Sequence, residues 1–411
     1  MAHHEHRLGL GGDAVGVPNA HRPLAALAVP PTPFDPPPLD MTRPATPSPL
    51  RHLTALVGLL VLTGCRPTAA QDYQAVVDRF VERTEFNGVV LVARGDSVLY
   101  ARPAGYEAVE DSLPTTLRTR YEVGSIAKWV TSLVVLSLAE DGALSLDEPV
   151  GTYLPGLRAS TGRRVTLHHL LSNRAGIPNA VADAFREDPA ALAEPLSMAG
   201  AVRRYASGDL EFEPGTDYDY SLSNWVVAQA AAERATGLGL GRLVRERVTG
   251  PLGLCDTDVF WDGHRGPRVA PGYESLSPPV RAEIPQPRYL ASSGGMYSTA
   301  PDLLALVHGV YDGGLLSDRS LAALSTAYTP DDDLGTADRP GGYAYGGRVR
   351  TMALGGEPRT VLWHTGSNGP SKVRLSRVLS DGTTVITMTN AGTSPEATGA
   401  LVEDVLRALY Q

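Results

Sequence analysis

The stretch Tyr121-Glu122-Val123-Gly124-Ser125-Ile126-Ala127-Lys128 constrains this chain most, because it ends a polar, Thr-rich segment and opens the apolar run Trp129 to Leu138. A helix that is apolar on nearly every side has to be covered by the rest of the protein. The pattern therefore predicts a buried helix from Ser125 to about Glu140, ended by Asp141-Gly142. Ser125 and Lys128 stand three residues apart and share a face of that helix. A serine hydroxyl is a poor nucleophile until a neighbour takes its proton. A lysine one turn away can do so when burial and the positive helix N-terminus destabilise its ammonium form. The same N-terminus offers backbone N–H groups to an oxyanion. The plainer use of the pair is an N-cap serine followed by a surface lysine.

The 411 residues suffice for one large domain or two ordinary ones, and 43% hydrophobic residues supply a sizeable core. A net charge of −9 without a basic patch argues against a nucleic-acid partner. Residues 1–40 read as a separate leader with His3, His4, His6, His21 and a proline run, a composition open to metal binding or to a segment no core needs. Met41 begins a second pattern: Arg43 and Arg51, the apolar run Leu53 to Leu62, then Leu62-Thr63-Gly64-Cys65. This resembles a bacterial lipoprotein signal. The expectation is a start at Met41, a signal peptide over 41–64, lipid on Cys65, a tether over 65–70, and a location in the cell envelope. Cys255 is then the only other cysteine, and it is expected to be a small packed residue without an internal disulfide.

Downstream, residues 71–84 place Tyr73, Val76, Val77, Phe80 and Val81 on one helical stripe. Gly88–Arg94 and Ser97–Ala101 read as a hairpin around Gly95-Asp96. A short helix opens at Thr166, and its adjacent His168 and His169 do not share a face, so one is expected packed and the other exposed rather than both on a metal. Residues 181–207 read as helix broken at Pro189 and Pro195, followed by helices over 223–236 and 240–249 and from Ala300 to about Val310. Residues 262–288 read as irregular, and Asp331-Asp332-Asp333 as a solvated turn in preference to a calcium site. Strands are expected over 343–350, 360–364, 372–377 and 384–389, and a closing amphipathic helix over 395–409. Strands at both ends and helices between them define an α/β (α+β) class. Its antiparallel sheet is built from 71–124 and 340–410, flanked by N- and C-terminal helices, with a mainly helical insertion over 125–290.

Three stations line up in order: Ser125-x-x-Lys128, Tyr220 and His364-Thr365-Gly366. With the stretches Gly142–Tyr153, His169–Ile177, Glu213–Thr216, Pro251–Thr257 and Gly294–Leu303, they resemble the serine β-lactamase and penicillin-binding-protein superfamily. The similarity is to its branch of class C β-lactamases, DD-peptidases and esterases, over roughly residues 75–410. The resemblance implies a β-lactamase/transpeptidase-like fold with the active site in a cleft, no metal and no organic cofactor. It implies Ser125 as nucleophile, Lys128 as proton acceptor and Tyr220 as the proton shuttle to the leaving group. Thr365 and Gly366 would hold substrate, with the N–H of Ser367 and of Ser125 as oxyanion hole. The activity implied is hydrolysis of an ester or amide, as an esterase or D-amino-acid peptidase acting on a small molecule or peptide through an acyl-enzyme. A catalytically silent binding module of the envelope is the alternative. Two positions depart from the family pattern. Leu222 stands where an asparagine is usual, with Asn224 as the candidate to replace it if the turn is reshaped. His364 stands where lysine is common, and its charge near neutral pH is not assured.

Overall fold

A computed structural model describes residues 69–260, 268–329 and 341–411. Residues 1–68, with the leader, the signal-like run and Cys65, lie outside the described residues, as does the Asp331-Asp332-Asp333 loop. The helices used below are α1 (Ala69–Thr84), α2 (Ile126–Glu140), α3 (Leu167–Leu171), α4 (Ala180–Glu187), α5 (Met198–Tyr205), α6 (Leu222–Thr236), α7 (Ala300–Tyr311) and α8 (Pro395–Leu409). The strands are β1 (Gly88–Arg94), β2 (Ser97–Ala104), β3 (Tyr121–Glu122), β4 (Asp258–Val259), β5 (Met296–Ser298), β6 (Gly342–Tyr343), β7 (Arg348–Leu354), β8 (Glu357–Asn368), β9 (Ser371–Val378) and β10 (Thr383–Thr389).

Seven strands form one antiparallel sheet in the order β6-β7-β8-β9-β10-β1-β2. The two ends of the chain meet inside it, where Gly88 to Arg94 pair with Thr389 to Thr383. β1 reads GVVLVAR because both its faces are covered, which replaces alternation by a continuous apolar run. Val90 and Val92 join Val361, Val378 and Val385 against Tyr73, Val77 and Val81 of α1 and Leu401, Val402, Val405 and Leu406 of α8. Val89, Leu91 and Ala93 face the other way, into the large core that holds α2, α6 and α7. The expected sheet with flanking terminal helices is therefore present, as is the helical segment between its two halves. Among the described residues no helix is long and apolar enough to cross a membrane.

Several boundaries differ from those expected. α1 starts at Ala69 and not after a tether ending at 70. The strand expected over 343–350 is split, because residues 344–347 turn back on themselves, with Ala344 N–H donating to Gly347 O at 2.8 Å. That turn lies on the backbone of α2 at Lys128, where the two chains are close enough that a Cβ on Gly346 would sit 2.7 Å from the Lys128 carbonyl carbon. The helix expected over 240–249 widens into a π turn at Arg245–Thr249. Within the stretch read as irregular, Tyr273–Leu276 and Pro279–Arg281 pair as a small hairpin. Cys255 is exposed, not packed, and its thiol is free.

Candidate active site

α2 is buried along almost its whole length, from Ile126 to Leu136 and again at Leu138. Its first turn is set by Gly124, whose φ of +48° lies in the left-handed region that a side chain disfavours. Ser125 is already helical at φ −63°, and its hydroxyl caps no backbone N–H. It accepts instead from Lys128 Nζ at 2.9 Å. Lys128 is fully buried and is not a surface charge. The capping use of the pair is thereby excluded on both residues.

Lys128 Nζ donates a second hydrogen bond to Ser293 O at 2.6 Å and lies 5.0 Å from the centre of the Tyr220 ring. Among the described residues no carboxylate pairs with it. Burial pushes the Lys128 ammonium below the usual lysine range, while the Tyr220 phenol works in the opposite direction. The segment carrying Ser293 is pinned beneath. Thr131 Oγ1 donates to Ser292 O at 3.1 Å, Ser292 N–H donates to Gln229 Oε1 at 3.2 Å, and Ser292 Oγ donates to Trp225 O at 2.9 Å.

Tyr220 is brought to the same place from the loop before α6. Asn173, buried with φ +56°, takes the Asp219 N–H on its carbonyl at 3.0 Å. Asparagine tolerates that conformation better than most residues. Asn179 brackets the tyrosine, donating from Nδ2 to Tyr220 O and accepting the Leu222 N–H on Oδ1, both at 2.9 Å. Behind Tyr220 stands the buried Tyr343, edge-on with ring centres 5.8 Å apart.

The third station arrives on β8. A Cβ on Gly366 would fall 1.8 Å from Val123 O, so only glycine permits this strand to pass the loop before α2. A Cβ on Gly124 would fall 2.4 Å from the Ser367 amide nitrogen. The backbone ahead of Ser125 and the Ser367 amide are therefore adjacent. The Ser125 N–H makes no hydrogen bond to another described residue. Two amides at this junction are the material of an oxyanion hole.

Ser125, Tyr220 and Ser367 line one cleft of about 320 Å³ together with Asn179, Leu222, Ile284, Gln286, Ser293 and Asn368. Asn224, His364 and Thr365 are not among the side chains that line the cleft. Asn224 does not replace the missing amide: two residues past Leu222 a helix has turned by about 200°, and Asn224 is buried with Nδ2 on Asn173 Oδ1 at 3.1 Å. His364 is buried against Tyr343, with ring centres 6.4 Å apart, and does not line the cleft. Thr365 is half-buried, opposite Arg374 in register, and is likewise outside the lining. Ser293, Gln286 and Asn368 also line the cleft, and of these only Ser293 borders a stretch that the resemblance marks, Gly294–Leu303.

His168 and His169 do not divide into a packed and an exposed residue, because both are half-buried. His168 Nδ1 meets Tyr345 OH at 2.6 Å, and His169 closes a capping box with Thr166 at the start of α3. No group of three or more His, Cys, Asp or Glu side chains placed to hold a metal ion occurs among the described residues.

A buried Ser-x-x-Lys pair at a helix start, a tyrosine beside the lysine and a glycine-bearing strand across the cleft define the architecture of serine hydrolases of the β-lactamase and transpeptidase kind. Residues 73–408 match the family described as Beta-lactamase, and the chain belongs to that family of hydrolases. It is 30% identical over 275 residues to Esterase EstB of Burkholderia gladioli, covering 59% of this chain and 70% of that protein. Among solved structures it is similar to EstCE1, described as a hydrolase with promiscuous acyltransferase activity. That match has 25% identity and a TM-score of 0.68 and covers 84% of this chain and 98% of the other. It also shares the fold of D-amino acid amidase from Ochrobactrum anthropi SV3, at 21% identity and a TM-score of 0.69 over 83% and 98% of the two chains.

Proposed function

We propose that this chain hydrolyses carboxylic esters or amides through an acyl-enzyme on Ser125. The observation that carries the reading is the 2.9 Å contact of Lys128 Nζ with Ser125 Oγ at a buried site that disfavours the ammonium. In its neutral form Lys128 accepts the Ser125 hydroxyl proton as Oγ bonds to the substrate carbonyl carbon. The carbonyl oxygen gains negative charge beside the Ser125 and Ser367 N–H groups. The bond to the leaving group then breaks, and the departing alkoxide or amine takes a proton from the Tyr220 hydroxyl, which Lys128 replenishes. Water next attacks the acyl-Ser125 ester and gives up a proton to the same pair. The carboxylic acid departs and Ser125 Oγ is reprotonated, so the cycle closes without cofactor.

The test is labelling with a fluorophosphonate probe together with turnover of p-nitrophenyl acetate. Labelling of the wild type and its loss in Ser125→Ala support the enzyme. Absence of both labelling and turnover favours a silent binding module instead. We further propose that Cys65 carries lipid and holds the protein at the cell envelope, a reading supported by the run Leu53 to Leu62 and the sequence Leu62-Thr63-Gly64-Cys65. Incorporation of an alkyne-tagged fatty acid that persists in Cys65→Ser would overturn it.

A further inference from the structure

The oxyanion site depends on how the end of β8 is held. β7 pairs with β8 only from Glu357 to Trp363, so among the described strands residues 364–368 pair with β9 alone. One side of this stretch rests on the loop before α2, where Gly366 meets Val123 and Gly124 meets Ser367. The other side is tied by Lys372 of β9. Lys372 stands opposite Ser367 in register, and its Nζ donates to Ser367 Oγ at 2.6 Å and to the Gly369 carbonyl. The ammonium therefore closes the Gly369-Pro370 turn onto the residue whose amide meets the backbone ahead of Ser125.

The charge on Lys372 exceeds what a staple for that turn needs. The side chain is half-buried, yet among the described residues no carboxylate forms an ion pair with it. Arg350 and Arg377, by contrast, are buried on Glu403 and Asp312. The charged group that reaches Lys372 from α8 is Glu396, in the exposed first turn and beyond ion-pair distance. On the same face of β9, the Arg374 guanidinium lies over Trp363, 4.4 Å from the ring centre. β10 places the uncharged Thr389 opposite. Beside the cleft, the positive field of Lys372 is thus left largely unneutralised.

We propose that Lys372 is a positioning residue of the oxyanion site: bonded to Ser367 Oγ, it fixes the Ser367 amide toward the acyl carbon and sets a positive charge on the side of the cleft where the carbonyl oxygen becomes negative. This inference rests on the acyl-enzyme reading above. Donors and charges preorganised for that oxygen act on the transition state more than on bound substrate, so loss of Lys372 falls on kcat and spares KM. Burial lowers the Lys372 pKa below the usual lysine range, and Glu396 opposes that shift. The group acts as the ammonium, so its contribution is present near neutral pH and is lost as pH rises through the lowered value.

The experiment uses the purified protein, p-nitrophenyl acetate and phenylboronic acid, with the variants Lys372→Met and Lys372→Arg. Ser125 Oγ bonds to boron, its proton passes to Lys128, and the adduct is a tetrahedral anion that mimics the transition state. Lys372→Met should lower kcat about tenfold with KM nearly unchanged, and should raise the inhibition constant of the boronic acid by a similar factor. Wild-type kcat should fall at alkaline pH. Lys372→Arg keeps its charge throughout and should carry that fall to higher pH, whatever its absolute kcat. A Lys372→Met protein that melts lower but keeps its kcat and its boronate affinity makes Lys372 a staple of the turn and overturns the inference. An effect confined to KM, or an alkaline fall that stays in place in Lys372→Arg, overturns it too. In each of these cases wild-type turnover leaves the acyl-enzyme reading standing. No wild-type turnover, with no labelling of Ser125, overturns the acyl-enzyme reading itself.

Discussion

Replacing Lys128 by methionine should abolish acylation and at the same time make the protein more stable. Lys128 is fully buried, no described carboxylate neutralises it, and its Nζ donates to Ser125 Oγ and Ser293 O. Keeping an ammonium in such a place costs several kcal/mol after relaxation. Methionine has nearly the same length and no charge. Its cost is the Ser293 carbonyl left without a donor, about 1–3 kcal/mol. The balance is a gain of about 1–3 kcal/mol near neutral pH, and in a domain of this size about 1–2 °C of melting temperature per kcal/mol.

The pH dependence follows from the lowered pKa of Lys128 in the folded protein. Between that value and the unfolded value of about 10.4, the unfolded chain holds a proton that the folded chain lacks, so wild-type stability rises with pH in that window. The slope approaches about 1.4 kcal/mol per pH unit for one group. Lys128→Met lacks this slope, so its advantage is greatest at low pH and closes toward pH ~10. Circular-dichroism melts of both proteins from pH 6 to 9 measure the gap, and fluorophosphonate labelling measures acylation, which should fall by about 10²- to 10⁴-fold. A variant that melts below the wild type by a constant margin at every pH would show that the ammonium is not destabilised. One that labels at the wild-type rate would show that Lys128 is not the proton acceptor.

Three further outcomes are expected. Tyr220→Phe keeps the ring edge-on to Tyr343 but removes the hydroxyl, so kcat for p-nitrophenyl esters should drop by about 10²- to 10⁴-fold with little change in melting temperature; unchanged kcat would refute the shuttle. Gly366→Ala drives a Cβ to within 1.8 Å of Val123 O, so it should cost about 1–3 kcal/mol in urea unfolding and at least 100-fold in kcat as the Ser367 amide is displaced. Cys255→Ser lies at an exposed position outside the cleft and should alter stability by no more than about 0.5 kcal/mol and leave ester turnover unchanged.

Much of the fold could be read from patterns that local physics enforces. The amphipathic stripes of α1 and α8, the doubly covered β1 and the all-apolar α2 each have one way to hide their side chains, and each forms about where expected. What escaped reading depends on contacts between distant segments. The break between β6 and β7 exists because residues 344–347 cross over Lys128, more than 200 positions earlier in the chain. The same holds at the site. Ser125 and Lys128 were legible from their helical spacing, and Tyr220 through the resemblance that the three ordered stations carry. Ser293 contributes a backbone oxygen, which leaves no trace in residue type. Gln286 and Asn368 enter the cleft from a loop and a strand end with no shared motif.

The two departures from the family pattern acquire a common meaning once their surroundings are known. Leu222 replaces a polar amide with an apolar wall in the cleft, and Asn224, which could have restored the amide, is turned into the core and held by Asn173. His364 stands where lysine is common, and its buried ring packs against Tyr343. Either change alone could be a neutral variation. Together they change two binding positions around the cleft, while Ser125, Lys128 and Tyr220 stay assembled at hydrogen-bonding and ring-contact distances. Loss of function would not require that the reacting group be preserved, whereas a change of substrate would. On the proposed acyl-enzyme reading, the combination therefore points to altered substrate binding around preserved reacting groups.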